Sequence, residues 1–156
     1  AEDLGYLTRE VRKLQKDSGY PGMKVLEFAF DSREPSDYLP HRYTRDCVCY
    51  TGTHDNAPQG QWLEEAKPED VAYAKGYLGL SQEEGQIWGV IRGGMGSVSD
   101  LFIAQMQDYL ELGAEARMNF PGTLSNNNWT WRAQDGMITD ALAHRIRELT
   151  RLFDRI

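Results

Sequence analysis

Apolar positions recur at helical spacing through LTREVRKLQKDSGYPG, where Leu7, Val11 and Leu14 share a face and Gly19 and Pro21 end the run. The pattern predicts an amphipathic helix. The next stretch, MKVLEFAF, is almost continuously apolar and too short for a good helix, so it predicts a strand buried on both faces. A long polar and aromatic loop, DSREPSDYLPHRYTRD, leads to a second short apolar strand, CVCYTG, which breaks into THDNAPQGQ. KPEDVAYAKGYLG then predicts a helix, with Pro68 in its first turn and Gly79 at its stop. Two more helical patterns cover GQIWGVIRGGM, weakened by its glycines, and SDLFIAQMQDYLELG. ARMNF reads as a third strand and PGTLSNNNWTWR as a loop. The chain closes on a helix with Ile138, Leu142, Ile146, Leu149 and Phe153 along one side.

Strands alternating with helices predict an α/β fold, and apolar strands of this kind predict parallel pairing. No composition shift marks a linker, so residues 1–156 read as one unit without an internal domain boundary. Three strands make a thin parallel sheet, and the opening helix must pack on something. The pattern therefore predicts part of a larger sheet.

Charge and cysteine usage narrow the partners. Lysine and arginine number 17 against 24 acids, giving a formal charge of −7, which argues against nucleic acid or an anionic membrane as the main partner. No apolar run approaches membrane-spanning length, and no basic-then-apolar leader precedes the first helix. Cys47 and Cys49 are too close in sequence for an unstrained disulfide. Only His41 and His54 flank them as further metal ligands, so two small buried thiols on one strand face are expected rather than a metal site. Free thiols suit a reducing cytoplasm. Neither a metal nor a cofactor is expected.

The polar residues gather after the strands. THDN follows the second, NNNW follows the third, and a long loop follows the first. If AEDLG is the tail of an earlier strand, Glu2 and Asp3 occupy the corresponding place. Catalytic groups of a (β/α)₈ barrel come from that rim, and paired carboxylates from different strand ends are what glycoside chemistry uses. Tyr38, Trp62, Trp129 and Trp131 are candidates for stacking on sugar faces, although an aromatic ring is more often core. Each signal has an ordinary reading too: terminal acids are solvated, THDN is a turn, and Asp31 and Asp37 cap turns.

The motifs AEDLG, GYPGMKVLEFAF, LPHRY, YTGTHDN, ARMNFPGT and NNWTWR, in this order, resemble those of the 4-α-glucanotransferases, the amylomaltase or disproportionating-enzyme family. The resemblance runs from residue 1 to about residue 154. It implies that the chain is the C-terminal part of a (β/α)₈ barrel, with AEDLG ending the fifth strand and MKVLEFAF, CVCYTG and ARMNF forming the sixth to eighth. It also implies Glu2 as general acid/base, Asp55 as the aspartate that stabilises the transition state, and His54 as a sugar-binding neighbour. Asp31 and Asn128 are implied as further sugar contacts, each with a structural loop role as the alternative. Asp3 is expected to be structural.

The family's nucleophile lies in an Arg-x-Asp-His context, which occurs nowhere in this chain. The resemblance therefore implies transfer of α-1,4-glucan segments by a retaining double displacement that this chain alone does not complete. The expected partners are a maltodextrin or starch-derived glucan and the N-terminal remainder of the barrel, as missing sequence or a second chain. A hydrolytic relative, and an inactive carbohydrate-binding fragment or half of a split enzyme, are the competing expectations. The chain departs from the commoner family wording at Arg42 and in THDNAPQGQW, beside the site, which bears on acceptor preference.

Overall fold

The computed structural model describes Glu2, Leu4 and residues 8–156. The expectations for Asp3 and Leu7, and most of the AEDLG strand, lie outside the described residues. Helix α1 runs over Arg9–Ser18 as the pattern predicts. Thr8 caps it by accepting from the Val11 N–H at 3.3 Å, and Gly19 ends it in the left-handed region at φ 71°. None of its residues is buried, and Leu14 stays 70% exposed, so its apolar stripe has no cover among the described residues.

Three strands, β1 (Gly22–Val25), β2 (Cys47–Tyr50) and β3 (Leu101–Ile103), form one parallel sheet in the order β1-β2-β3. MKVLEFAF is shorter as a strand than predicted. After Val25 the chain turns into a 3-10 segment, Leu26–Ala29, which drives Leu26, Ala29 and then Phe30 into the core. Alternation along β2 sends Cys47 and Cys49 to one face, where both are buried and neither is in a disulfide, and turns Val48 and Tyr50 to the other.

β3 corrects the sequence reading twice. Leu101–Ile103 was expected to be helical, yet it pairs with β2 in the register Val48↔Leu101, Cys49↔Phe102, Tyr50↔Ile103. Pairing with β2 satisfies the backbone of this segment and lays the Phe102 ring against Gly94 and the core. Only Met106–Tyr109 remains helical, as the short α5. ARMNF, expected as the third strand, is instead a 3-10 turn at Ala114–Ala116 followed by irregular chain.

The link from β2 to β3 carries α2 (Gln59–Glu65), α3 (Pro68–Leu78) and α4 (Gln86–Met95). Pro68 opens α3 and Gly79 closes it at φ 64°, both as predicted. The glycines that weaken α4 serve its packing: a Cβ on Gly94 would sit 2.2 Å from the Phe102 ring of the sheet, and one on Gly93 would sit 2.6 Å from the Leu78 side chain of α3. The last helix, α6 (Asp140–Leu152), lays Leu142, Ile146 and Leu149 on Ile87, Trp88, Ile91 and Met95 of α4, with Phe153 joining them. Ile138 is outside this packing and 60% exposed. A second core beneath β1 and β2 joins Leu26, Phe30, Leu39 and both cysteines to Ala74 and Leu78 of α3.

Candidate active site

A cleft runs along the sheet face that carries Val48 and Tyr50, from Pro21, Gly22 and Met23 at the start of β1 to residues 52–56 and 103–105 at and beyond the ends of β2 and β3. It has a volume of about 650 Å³ and is walled by Val48 and Tyr50 of β2, Ile103 of β3, Phe28 and Met23. Glu2, Thr53, His54, Asp55, Asn56 and Gln105 supply its polar groups. Three of the five expected site residues, Glu2, His54 and Asp55, thus line one cleft although 52 or more residues separate the first from the others.

Thr51 and Gly52 follow β2, and the turn after them presents His54 and Asp55. The Asn56 side chain closes this turn: its Oδ1 accepts from the Thr53 N–H at 2.9 Å and the Thr53 hydroxyl at 2.8 Å. Gly52 sits in a tight place: a Cβ there would lie 2.8 Å from Gln105 Nε2 and 3.1 Å from Asn56 Cβ, so the Gln105 side chain would have to move aside. Asp55 is held from the far side. Asn119 Nδ2 donates to its Oδ1 at 2.6 Å, and Arg117 Nη2 donates to its backbone carbonyl at 3.0 Å. One carboxylate oxygen is therefore committed and the side chain stays nearly half exposed to the cleft. His54 Nε2 lies 3.4 Å from Asp55 Oδ1, and the His54 ring meets the Trp129 ring with centroids 5.0 Å apart.

A buried acid, Asp108, and a half-buried one, Glu27, support this turn, and the sequence reading singled out neither. Asp108 accepts from the Thr51 hydroxyl at 2.5 Å and from the Gln59 N–H at 2.7 Å, so it ties the end of β2 to the start of α2. Burial raises its pKa to about 6 against the hydrogen bonds that favour the charged form. Glu27 follows β1 and donates its backbone N–H to the Thr51 carbonyl at 3.3 Å. Its Oε2 is buried without a hydrogen-bond partner among the described residues, and burial raises its pKa to about 7, opposed by the Arg117 charge. An acid inside the apolar run LEFAF was the signal that marked Glu27. For Asp108 the signal was an acid within FIAQMQDYL.

The other two expected residues sit elsewhere. Asp31 accepts from Arg33 Nε at 2.8 Å, Nη2 at 2.5 Å and its backbone N–H at 2.9 Å, and these hydrogen bonds hold its carboxyl well below the usual carboxylate range. Asn128 spends its side chain inside its own loop, accepting from the Phe120 N–H at 3.1 Å and donating to the Thr123 carbonyl and hydroxyl. Neither lines the cleft. Among the described residues no group of three or more histidine, cysteine or acidic side chains is arranged to hold a metal ion.

The profile of glycoside hydrolase family 77, described as 4-alpha-glucanotransferase, matches residues 1–139. The chain belongs to this family. It is 49% identical over 156 residues to the 4-alpha-glucanotransferase of Clostridium butyricum, covering 99% of this chain and 32% of that one. It is 41% identical to the Thermus thermophilus enzyme over 163 residues, covering 100% of this chain and 32% of the relative. Among solved structures, the amylomaltase from Streptococcus agalactiae in complex with acarbose superposes with a TM-score of 0.94 at 36% identity, over 99% of this chain and 31% of that one. The chain spans about a third of the length of the curated relatives it matches.

Proposed function

We propose that this chain carries the acid/base half of a 4-α-glucanotransferase site that moves α-1,4-glucan segments between maltodextrins. The observation that carries the reading is the meeting of Glu2, His54 and Asp55 in one cleft that extends past the ends of β2 and β3, in a member of this family. The sheet is read as part of a (β/α)₈ barrel, whose chemistry sits at that rim. The buried thiols Cys47 and Cys49, neither in a disulfide, suit a reducing compartment such as the cytoplasm.

In the proposed sequence a carboxylate nucleophile, supplied by a part of the enzyme outside this chain, attacks the anomeric carbon. The glycosidic C–O bond breaks, and Glu2 gives its proton to the departing oxygen. Positive charge grows on the sugar carbon and ring oxygen, and Asp55 stabilises it. Glu2, now a carboxylate, takes the proton from the 4-hydroxyl of an incoming glucan, which displaces the nucleophile. His54 binds the sugar beside Asp55. Asp31 and Asn128 contribute through the loops that their side chains brace.

A chimera tests the assignment. This chain replaces the corresponding third of the Clostridium butyricum enzyme, and maltotriose turnover is followed. Glu2→Gln and Asp55→Asn are each expected to lower the turnover rate by about 10²–10⁴-fold. Turnover that survives Glu2→Gln unchanged overturns the acid/base role.

A further inference from the structure

Trp129 is in the left-handed region at φ 64°, a conformation that bulky residues seldom take. Its surroundings over-determine that geometry. The Trp129 N–H donates to the Met118 carbonyl at 2.7 Å, and the Asn128 N–H donates to the Ser125 carbonyl at 3.2 Å. The Asn128 side chain then closes the loop by accepting from Phe120 and donating to Thr123 at 3.2 and 3.0 Å. The outcome is an indole laid on the His54 ring, centroids 5.0 Å apart at an interplanar angle of 39°. The stem of the same loop grips the next residue, through Asn119 on the Asp55 carboxylate and Arg117 on the Asp55 carbonyl.

The His54 side chain is 56% exposed, and an exposed imidazole changes rotamer on the picosecond-to-nanosecond scale unless something restrains it. We propose that Trp129 is a positioning residue that fixes the His54 imidazole beside the Asp55 carboxylate, with Asn128 the brace that holds Trp129 in place. The purpose assigned to that geometry, presenting His54 to a sugar, rests on the function proposed above. The ring contact itself does not.

Imidazole proton NMR on this chain decides the matter, with His41 and His144 as internal references. In the wild type, His54 signals are expected to show the ring-current displacement of an adjacent indole and a nuclear Overhauser contact to Trp129. Trp129→Leu is expected to abolish both and Trp129→Phe to retain part of the displacement. Asn128→Ala is expected to lose the Overhauser contact while the rest of the spectrum keeps its fold. His54 signals that do not move in Trp129→Leu overturn the positioning role, and an intact contact in Asn128→Ala overturns the brace. Should the leucine variant not fold, the phenylalanine variant carries the same test, and an unmoved His54 signal there overturns the proposal equally.

Acarbose titrated into the same samples separates the two levels. Saturable movement of the wild-type His54 signals, with affinity about tenfold weaker in Trp129→Leu and restored in Trp129→Phe, supports the role in sugar presentation. Equal affinities overturn that role. A wild-type ring contact that is intact while acarbose leaves His54 unmoved overturns the sugar-site reading and leaves the contact standing.

Discussion

Replacing Glu27 by glutamine is expected to stabilise the chain above neutral pH. The Glu27 carboxyl is half-buried against the Thr53–Asn56 turn, with one oxygen lacking a hydrogen-bond partner among the described residues, and its pKa rises from the ordinary 4.5 to about 7. An acid whose pKa is higher in the folded state binds its proton more tightly there than in the unfolded chain. Its contribution to stability is therefore complete below about pH 4.5 and is lost as the pH rises through 7. One pH unit corresponds to 1.36 kcal/mol, so ionising this side chain in place costs about 3 kcal/mol by pH 8, of which about 2–3 kcal/mol falls between pH 5 and pH 8. Asp108, raised to about 6 from 3.8, acts in the same direction. Glutamine keeps the shape and one acceptor without the proton. Urea unfolding followed by tryptophan fluorescence at pH 5, 6, 7 and 8 reads the difference. The wild type is expected to lose stability across that range, and Glu27→Gln to lose about 2–3 kcal/mol less. Parallel pH dependences for the two proteins would refute the reasoning, because they would mean that the carboxyl is hydrated in the folded chain.

Other substitutions test the supports of the site and the sheet. Asp108→Ala removes the acceptor of the buried Thr51 hydroxyl and of the Gln59 N–H, and is expected to cost about 2 kcal/mol in urea unfolding at pH 5, less at pH 8 where the wild type bears the cost of ionisation. Gly94→Ala is expected to lower the thermal midpoint although alanine favours helix by about 1 kcal/mol, because overpacking against Phe102 costs about 1–3 kcal/mol. A raised midpoint would mean that α4 moves freely off the sheet.

Elements with local punctuation were legible in the chain. Pro68 and Gly79 frame α3, Thr8 and Gly19 frame α1, and Cys47 and Cys49 alternate with half-buried neighbours as a strand requires. β3 was not, because FIAQMQDYL carries a helical period and only pairing with β2 makes Leu101–Ile103 extended. ARMNF failed for the complementary reason: five suitable residues form no strand where Arg117 and Asn119 are drawn onto Asp55 instead. Within the site, Glu2, His54 and Asp55 were legible through family motifs alone, since two acids near the start of a chain and a THDN turn are unremarkable by composition. Glu27, Asp108 and Trp129 act through contacts between segments 24 or more residues apart in sequence, which no local pattern records.

Transfer between glucans is the central claim, and its direct measure is the balance of products from maltotriose. Incubated with the chimera that carries this chain, maltotriose is expected to yield dextrins longer than itself together with shorter sugars, while the total number of reducing ends stays constant. Reducing ends that increase with time, with no product longer than maltotriose, would show hydrolysis and contradict the account.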